Sequence, residues 1–130
     1  MAERPLYLDT ALESLDGAAS EYTNRRYNNC ANYCYYASFQ GAVYALEQIR
    51  LHYQGSDETW PHKALQATFS RELIQRRKVH ASDLRSVLSL NYSLRQSADY
   101  SRHWVTETQA ARALNRTRSM LSVIQREGVN

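Results

Sequence analysis

The residues best equipped for chemistry lie between Leu94 and Trp104: Arg95, Asp99, Tyr100, Arg102 and His103. Two guanidiniums, a carboxylate, a phenol and an imidazole fall within one short stretch. The segment before it, Leu84 to Leu94, has an apolar helical rhythm, which puts Arg95 near the C-terminal end of a helix. If the helix continues through Asp99, then Arg95, Asp99 and Arg102 share a face, because residues three, four or seven apart are neighbours there. His103 lies beside them. Fixed cations next to a group that titrates near neutrality suit a phosphate ligand. The plainer reading is an i,i+4 pair between Arg95 and Asp99 on a solvated face, which contributes little. A second histidine, His62, follows Pro61 at the start of another helix. It serves there either as a capping or packing group or as a member of the same anion-binding network.

The elements that must position these residues are helical. The 130-residue chain is expected to form one domain, residues 1–130, with residues 1–5 a disordered start. It has 10 tyrosines but only 4 glycines and 2 prolines, and it lacks strand-like alternation. That composition predicts an all-α fold. No apolar run reaches the length of a membrane span and no signal peptide is evident, so a cytoplasmic protein is expected. Cys30 and Cys34, four apart, read as small core residues kept reduced. No metal site and no cofactor is expected, since further ligands at suitable spacing are missing. The net charge is +3, unevenly spread. Glu3, Asp9, Glu13, Asp16 and Glu21 face a single Arg4 in the first 24 residues, whereas Arg71 to Arg126 holds eleven Lys/Arg against four carboxylates. A basic C-terminal half fits an anionic partner such as RNA or a nucleotide, and equally an ordinary basic surface.

Leu8, Ala11, Leu12, Leu15, Ala18, Ala19 and Tyr22 predict a first amphipathic helix from about Leu6 to Asn24. Asn24-Arg25-Arg26 is a short break. A second helix is expected from about Tyr27 to Tyr53, with Cys30, Ala31, Cys34, Ala37, Ser38, Gly41, Ala42 and Ala45 on its inner face. Tyr33, Tyr35, Tyr36, Phe39 and Tyr44 ring it and read as core or dimer contacts in preference to base-stacking platforms. A loop spans Gln54 to Pro61, and a third helix runs from about His62 to Gln75, with Arg76-Arg77-Lys78 at its end. Ser82 is a candidate N-cap for a fourth helix, whose stripe of Leu84, Val87, Leu88, Leu94 and Ala98 includes Asn91. A buried Asn91 must be hydrogen-bonded. Thr106-Glu107-Thr108-Gln109 reads as a capping box for a fifth helix that runs to about Glu127. Five helices with short connections give an up-and-down bundle.

Four motifs in this order resemble the HEPN family in its small stand-alone form: Arg26-Tyr27, Tyr35-Tyr36-Ala37-Ser38-Phe39, Pro61-His62-Lys63-Ala64 with Phe69, and Arg95-Gln96-Ser97-Ala98-Asp99-Tyr100. The resemblance covers about Leu12 to Ile124. It implies a helical bundle that forms a two-fold homodimer with its functional groove at the interface. It also implies RNA or nucleotide as ligand. Many family members are metal-independent endoribonucleases, often toxins paired with a minimal nucleotidyltransferase antitoxin. Their motif is an arginine followed after four to six residues by a histidine. Here seven residues separate Arg95 from His103, and Tyr100 stands after the four-residue gap. Other members bind nucleotides or assist a nucleotidyltransferase without cleaving RNA.

Metal-independent RNA cleavage needs a base for the 2′-OH, a cation for the phosphate and an acid for the leaving oxygen. Arg95, Tyr100 and His103 are the candidate catalytic residues, with Arg95, Arg102, Asp99 and His62 as candidate phosphate-binding residues. His103 has an ordinary pKa near 7, whereas Tyr100, with one near 10, serves better as a hydrogen-bond donor. Two function classes therefore stand: a ribonuclease toxin of a toxin–antitoxin pair, or a non-catalytic binding or adaptor module working with a nucleotidyltransferase.

Overall fold

The computed structural model describes residues 6–53, 60–76, 82–100 and 104–127, and all regular structure among them is helical. Five α-helices follow in order: α1 (Leu6–Thr23), α2 (Tyr27–Gln48), α3 (His62–Phe69), α4 (Val87–Tyr100) and α5 (Glu107–Glu127). A π-helical turn, Ser70–Arg76, continues α3, and a 3-10 turn, Ser82–Ser86, leads into α4. The all-α bundle expected from the sequence is what forms. The expected disordered start, the loop residues 54–59 and the basic pair Arg77-Lys78 lie outside the described residues.

α2 is the central element and packs on α1, α4 and α5. Its small residues, from Cys30 to Ala45, are buried as their spacing predicts. Gly41 shows why they must be small: a Cβ there would collide with the Leu121 side chain of α5. Leu46, Leu65, Phe69, Leu88, Met120 and Ile124 fill one end of the core. Cys30, Ala31, Cys34, Val105, Ala113 and Leu114 fill the other. A fully buried Leu or Phe of this kind contributes about 1.5–3 kcal/mol. Cys30 and Cys34 are free thiols and buried. Burial and the hydrogen bond shared with Cys30 push the Cys34 thiol up, so it stays protonated.

Three boundaries differ from the sequence reading. α2 stops at Gln48 instead of Tyr53, because the chain turns at Arg50, whose φ is 63°. The Leu51 N–H donates to Leu46 O and the Arg50 N–H to Glu47 O, a Schellman cap with arginine where glycine is usual. The same device closes α1, with Arg25 at φ 61° and Arg26 N–H donating to Glu21 O. The third helix changes from α to π geometry at Ser70, and Ser82 opens the 3-10 turn, so α4 itself starts at Val87. The capping box of α5 forms as expected: Gln109 N–H donates to Thr106 Oγ1 at 3.1 Å and Thr106 N–H to Gln109 Oε1 at 3.0 Å.

A polar knot fixes α4 between α2 and α5. Asn91 is fully buried, and its Nδ2 donates to Cys34 O (3.2 Å), Ser38 Oγ (3.1 Å) and Thr117 Oγ1 (2.8 Å). Its Oδ1 accepts from Arg116 Nε at 2.8 Å. Every polar atom of the amide is satisfied, as burial demands. The register of α4 set by this knot decides where Tyr92 and Arg95, one to four residues further on, emerge.

Candidate functional site

The site is built where α2, the start of α3 and α4 meet. Tyr35 occupies its centre. Its ring lies 5.6 Å from Tyr36, 5.8 Å from Phe39 one turn on, 5.8 Å from His62 and 5.7 Å from Tyr92. Pro61, extended at φ −65° and ψ 148°, accepts the Leu65 N–H and starts α3, so that His62 enters this cluster from the first turn. The imidazole stacks on Tyr92, with centroids 3.9 Å apart and planes 12° from parallel. Arg95, three residues after Tyr92 and therefore on the same helix face, lays its guanidinium against two rings. Its Cζ is 5.0 Å from the Tyr35 centroid and 5.2 Å from that of Tyr36, and Nη2 donates to the Tyr36 hydroxyl at 3.2 Å.

Tyr35, Tyr36, Phe39, His62 and Arg95 wall a cup of about 370 Å³, with Tyr92 backing the imidazole. Tyr7 of α1 and Trp60, the residue before Pro61, complete its rim. Burial lowers the pKa of His62 below the ordinary histidine value, so the imidazole is neutral at pH 7. Its Nδ1 is buried and has no hydrogen-bond partner among the described residues. Burial raises the pKa of Tyr35, and the opposing pull of Arg95 is smaller, so that phenol stays protonated. The cup therefore offers a permanent cation, a neutral imidazole and several aromatic faces. Aromatic faces stack on planar rings, and a guanidinium binds phosphate through paired hydrogen bonds. No cluster of metal ligands occurs among the described residues.

Of the candidate residues read from the sequence, the structure brings Arg95 and His62 to one cavity. Asp99 and Tyr100 end α4, but their side chains lie outside the described residues, as do Arg102 and His103 altogether. The sequence reading assigned Tyr35, Tyr36 and Phe39 to core or dimer contacts and passed over Tyr7, Trp60 and Tyr92. Tyr35 is indeed buried, yet it forms the floor of the cup. The available signals were Tyr92 three residues before Arg95 and Trp60 adjoining Pro61-His62.

A family model for the HEPN domain matches residues 5–127. The chain belongs to the HEPN domain family. HEPN domains are usually linked to RNA binding or RNase activity. No curated protein matches the sequence. No helix among the described residues of this HEPN chain is long and apolar enough to cross a membrane.

Proposed function

We infer that this HEPN protein binds RNA or a nucleotide, with one base against the aromatic walls of the cup and its phosphate at Arg95. The observation that carries this reading is the Arg95 guanidinium set against the Tyr35 and Tyr36 rings at a cup of about 370 Å³. That volume lies at the small end of ligand pockets, the scale of a single nucleotide. A residue placed to support the aromatic cluster alone needs no charge, and an arginine in that position suits an anionic ligand.

The finer reading is metal-independent RNA cleavage by a toxin that a nucleotidyltransferase antitoxin restrains. In it Arg95 and Arg102 hold the scissile phosphate, His103 and Tyr100 exchange protons with the reacting oxygens, and Asp99 orients His103. His62, neutral in the cup, orients the bound nucleotide. A two-fold dimer sets two such sites in one groove. The alternative is a binding or adaptor module that assists a nucleotidyltransferase, and the seven-residue gap between Arg95 and His103 favours it.

The test combines binding and cleavage. Titrating the protein with adenosine monophosphate and with a short RNA should give saturable binding that Arg95→Ala weakens by roughly tenfold or more. Absence of binding by the parent refutes the reading. Cleavage of labelled RNA in excess EDTA, lost in His103→Ala, supports the ribonuclease; binding without cleavage supports the module. Light scattering at twice the 15.1 kDa chain mass supports the dimer.

A further inference from the structure

A second cavity, of about 360 Å³, opens between the α1–α2 turn and Trp104-Val105, just before α5. Arg25, Arg26, Tyr27 and Trp104 wall it. Asn28 Oδ1 accepts the Val105 N–H at 2.9 Å, which fastens the residue after Trp104 against the start of α2 and keeps Trp104 beside the two arginines. Trp104 is 79% exposed and belongs to none of the core clusters. Arg26 pairs with Glu21 at 3.5 Å, whereas Arg25 is exposed and forms no ion pair with a carboxylate among the described residues. An indole left in solvent next to a permanent cation contributes nothing to folding that a polar residue would not. Together they match a nucleotide, whose base stacks on an aromatic face while its phosphate meets the cation.

We propose that this cavity is a second nucleotide subsite, occupied by the same single-stranded RNA that places another of its nucleotides, a few positions along the strand, in the tyrosine cup. The proposal rests on the RNA-binding reading of the cup. α2 links the two places. Asn29 lines the second cavity and Tyr36 the first, and with Asn32 between them they follow three- and four-residue steps along one helix face. Seven residues of helix span roughly 10 Å. A stacked strand rising 3.4 Å per nucleotide covers that distance in about three nucleotides. The subsite therefore selects a short oligonucleotide over a mononucleotide, and its side chains confer little preference for sequence.

The chain has two tryptophans, one in each cavity, and they report on the two places separately. Trp60→Phe leaves the indole of the second cavity as the only one; Trp104→Phe leaves that of the cup. The probes are adenosine monophosphate and a six-nucleotide oligoadenylate, 2′-O-methylated so that it cannot be cleaved through a 2′-OH. The hexamer should change both indole signals over one concentration range. Trp104→Ala should weaken the hexamer about tenfold or more and leave adenosine monophosphate affinity at the cup unchanged. Arg25→Gly should weaken the hexamer and lower its salt slope by about one. Both variants should fold, because Trp104 is exposed and Arg25 sits at a positive φ that glycine adopts freely. Unchanged hexamer affinity in Trp104→Ala, with a silent Trp104, overturns the subsite and leaves the cup reading standing. A Trp104 response without any response at Trp60 overturns the shared-strand proposal. Failure of both probes to bind the parent overturns the cup reading and the subsite with it.

Discussion

Replacing Arg95 with methionine tests the cup most sharply. The substitution keeps most of the alkyl packing and removes the guanidinium. In the free protein that group makes two ring contacts, at 5.0 and 5.2 Å, and a hydrogen bond to the Tyr36 hydroxyl. Cation–π contacts near the surface contribute about 0.5–1 kcal/mol each, and a hydrogen bond about 1 kcal/mol. Partial exposure of Arg95 and Tyr36 reduces the sum, so a stability loss of about 1–2 kcal/mol is expected. For a chain of this size that corresponds to melting about 3–8 °C lower. Binding should suffer more. A lost charge-assisted hydrogen bond to phosphate is worth about 1.5–3 kcal/mol, a tenfold to 150-fold loss of affinity. Fluorescence titration with adenosine monophosphate and a urea melt on the same protein give both quantities. Arg112, exposed on α5, supplies the control: Arg112→Ala should cost less than about threefold and act only through salt-dependent attraction. Arg116, on the same helix, would not serve as the control because it holds the buried Asn91. If Arg95→Met melts lower yet binds as well as the parent, the guanidinium is a brace for the tyrosines and the phosphate role is wrong.

Three further outcomes are expected. Asn91→Ala should destabilise by about 3–5 kcal/mol, because it removes the acceptor of a half-buried arginine together with the donor to Thr117 and Ser38; an unchanged urea midpoint would refute the role given to the knot. Gly41→Ala should cost about 1–3 kcal/mol despite alanine's better helix propensity, since its Cβ meets Leu121; a stabilised protein would show that α5 can retreat from α2. The His62 ring should titrate below 6.5 by proton NMR, with burial as the cause. Above 6.5 both folded and unfolded chains hold His62 neutral, so it adds no pH dependence there. As pH falls through 6.5 the unfolded chain takes up a proton that the folded chain resists, and stability is lost. His62→Gln should flatten that part of the melting-versus-pH curve, and a midpoint above 6.5 contradicts the assignment.

The helices were legible because their signals are local and repeated. The small residues of α2 recur at a period that only a close helix–helix contact explains, and Gly41 against Leu121 confirms the reason. Thr106 and Gln109 announce their own cap. Boundaries were less legible where the decisive interaction involves no distinctive side chain. Arginine at a positive φ is not an expected helix stop, so the Schellman turn at Arg50 gave no warning and α2 was drawn five residues too long. The buried hydrogen bonding of Asn91 could be required from its place on an apolar stripe. That Arg116 was among its partners could not, because the pair is 25 residues apart in the chain.

The site shows the same division more strongly. Reading along the chain favours groups that lie close in sequence, which is why Arg95 was paired with Asp99, Arg102 and His103. Among the described residues the fold adds groups distant in the chain: Tyr35 and Tyr36 from α2 against the Arg95 guanidinium, and His62 from α3 in the same cavity. The gap between an arginine and a histidine in sequence therefore bears on cleavage and not on whether the cup binds. The binding proposed here needs a cation and aromatic faces to converge, and the register set by Asn91 brings Arg95 to the Tyr35 and Tyr36 rings. Cleavage requires in addition a proton acceptor and donor at the reacting oxygens. A neutral imidazole stacked flat on Tyr92 suits the orienting role proposed for it better than a proton transfer. Any proton transfer then falls to side chains at the end of α4 and just beyond it, where Tyr100 and His103 lie in the sequence.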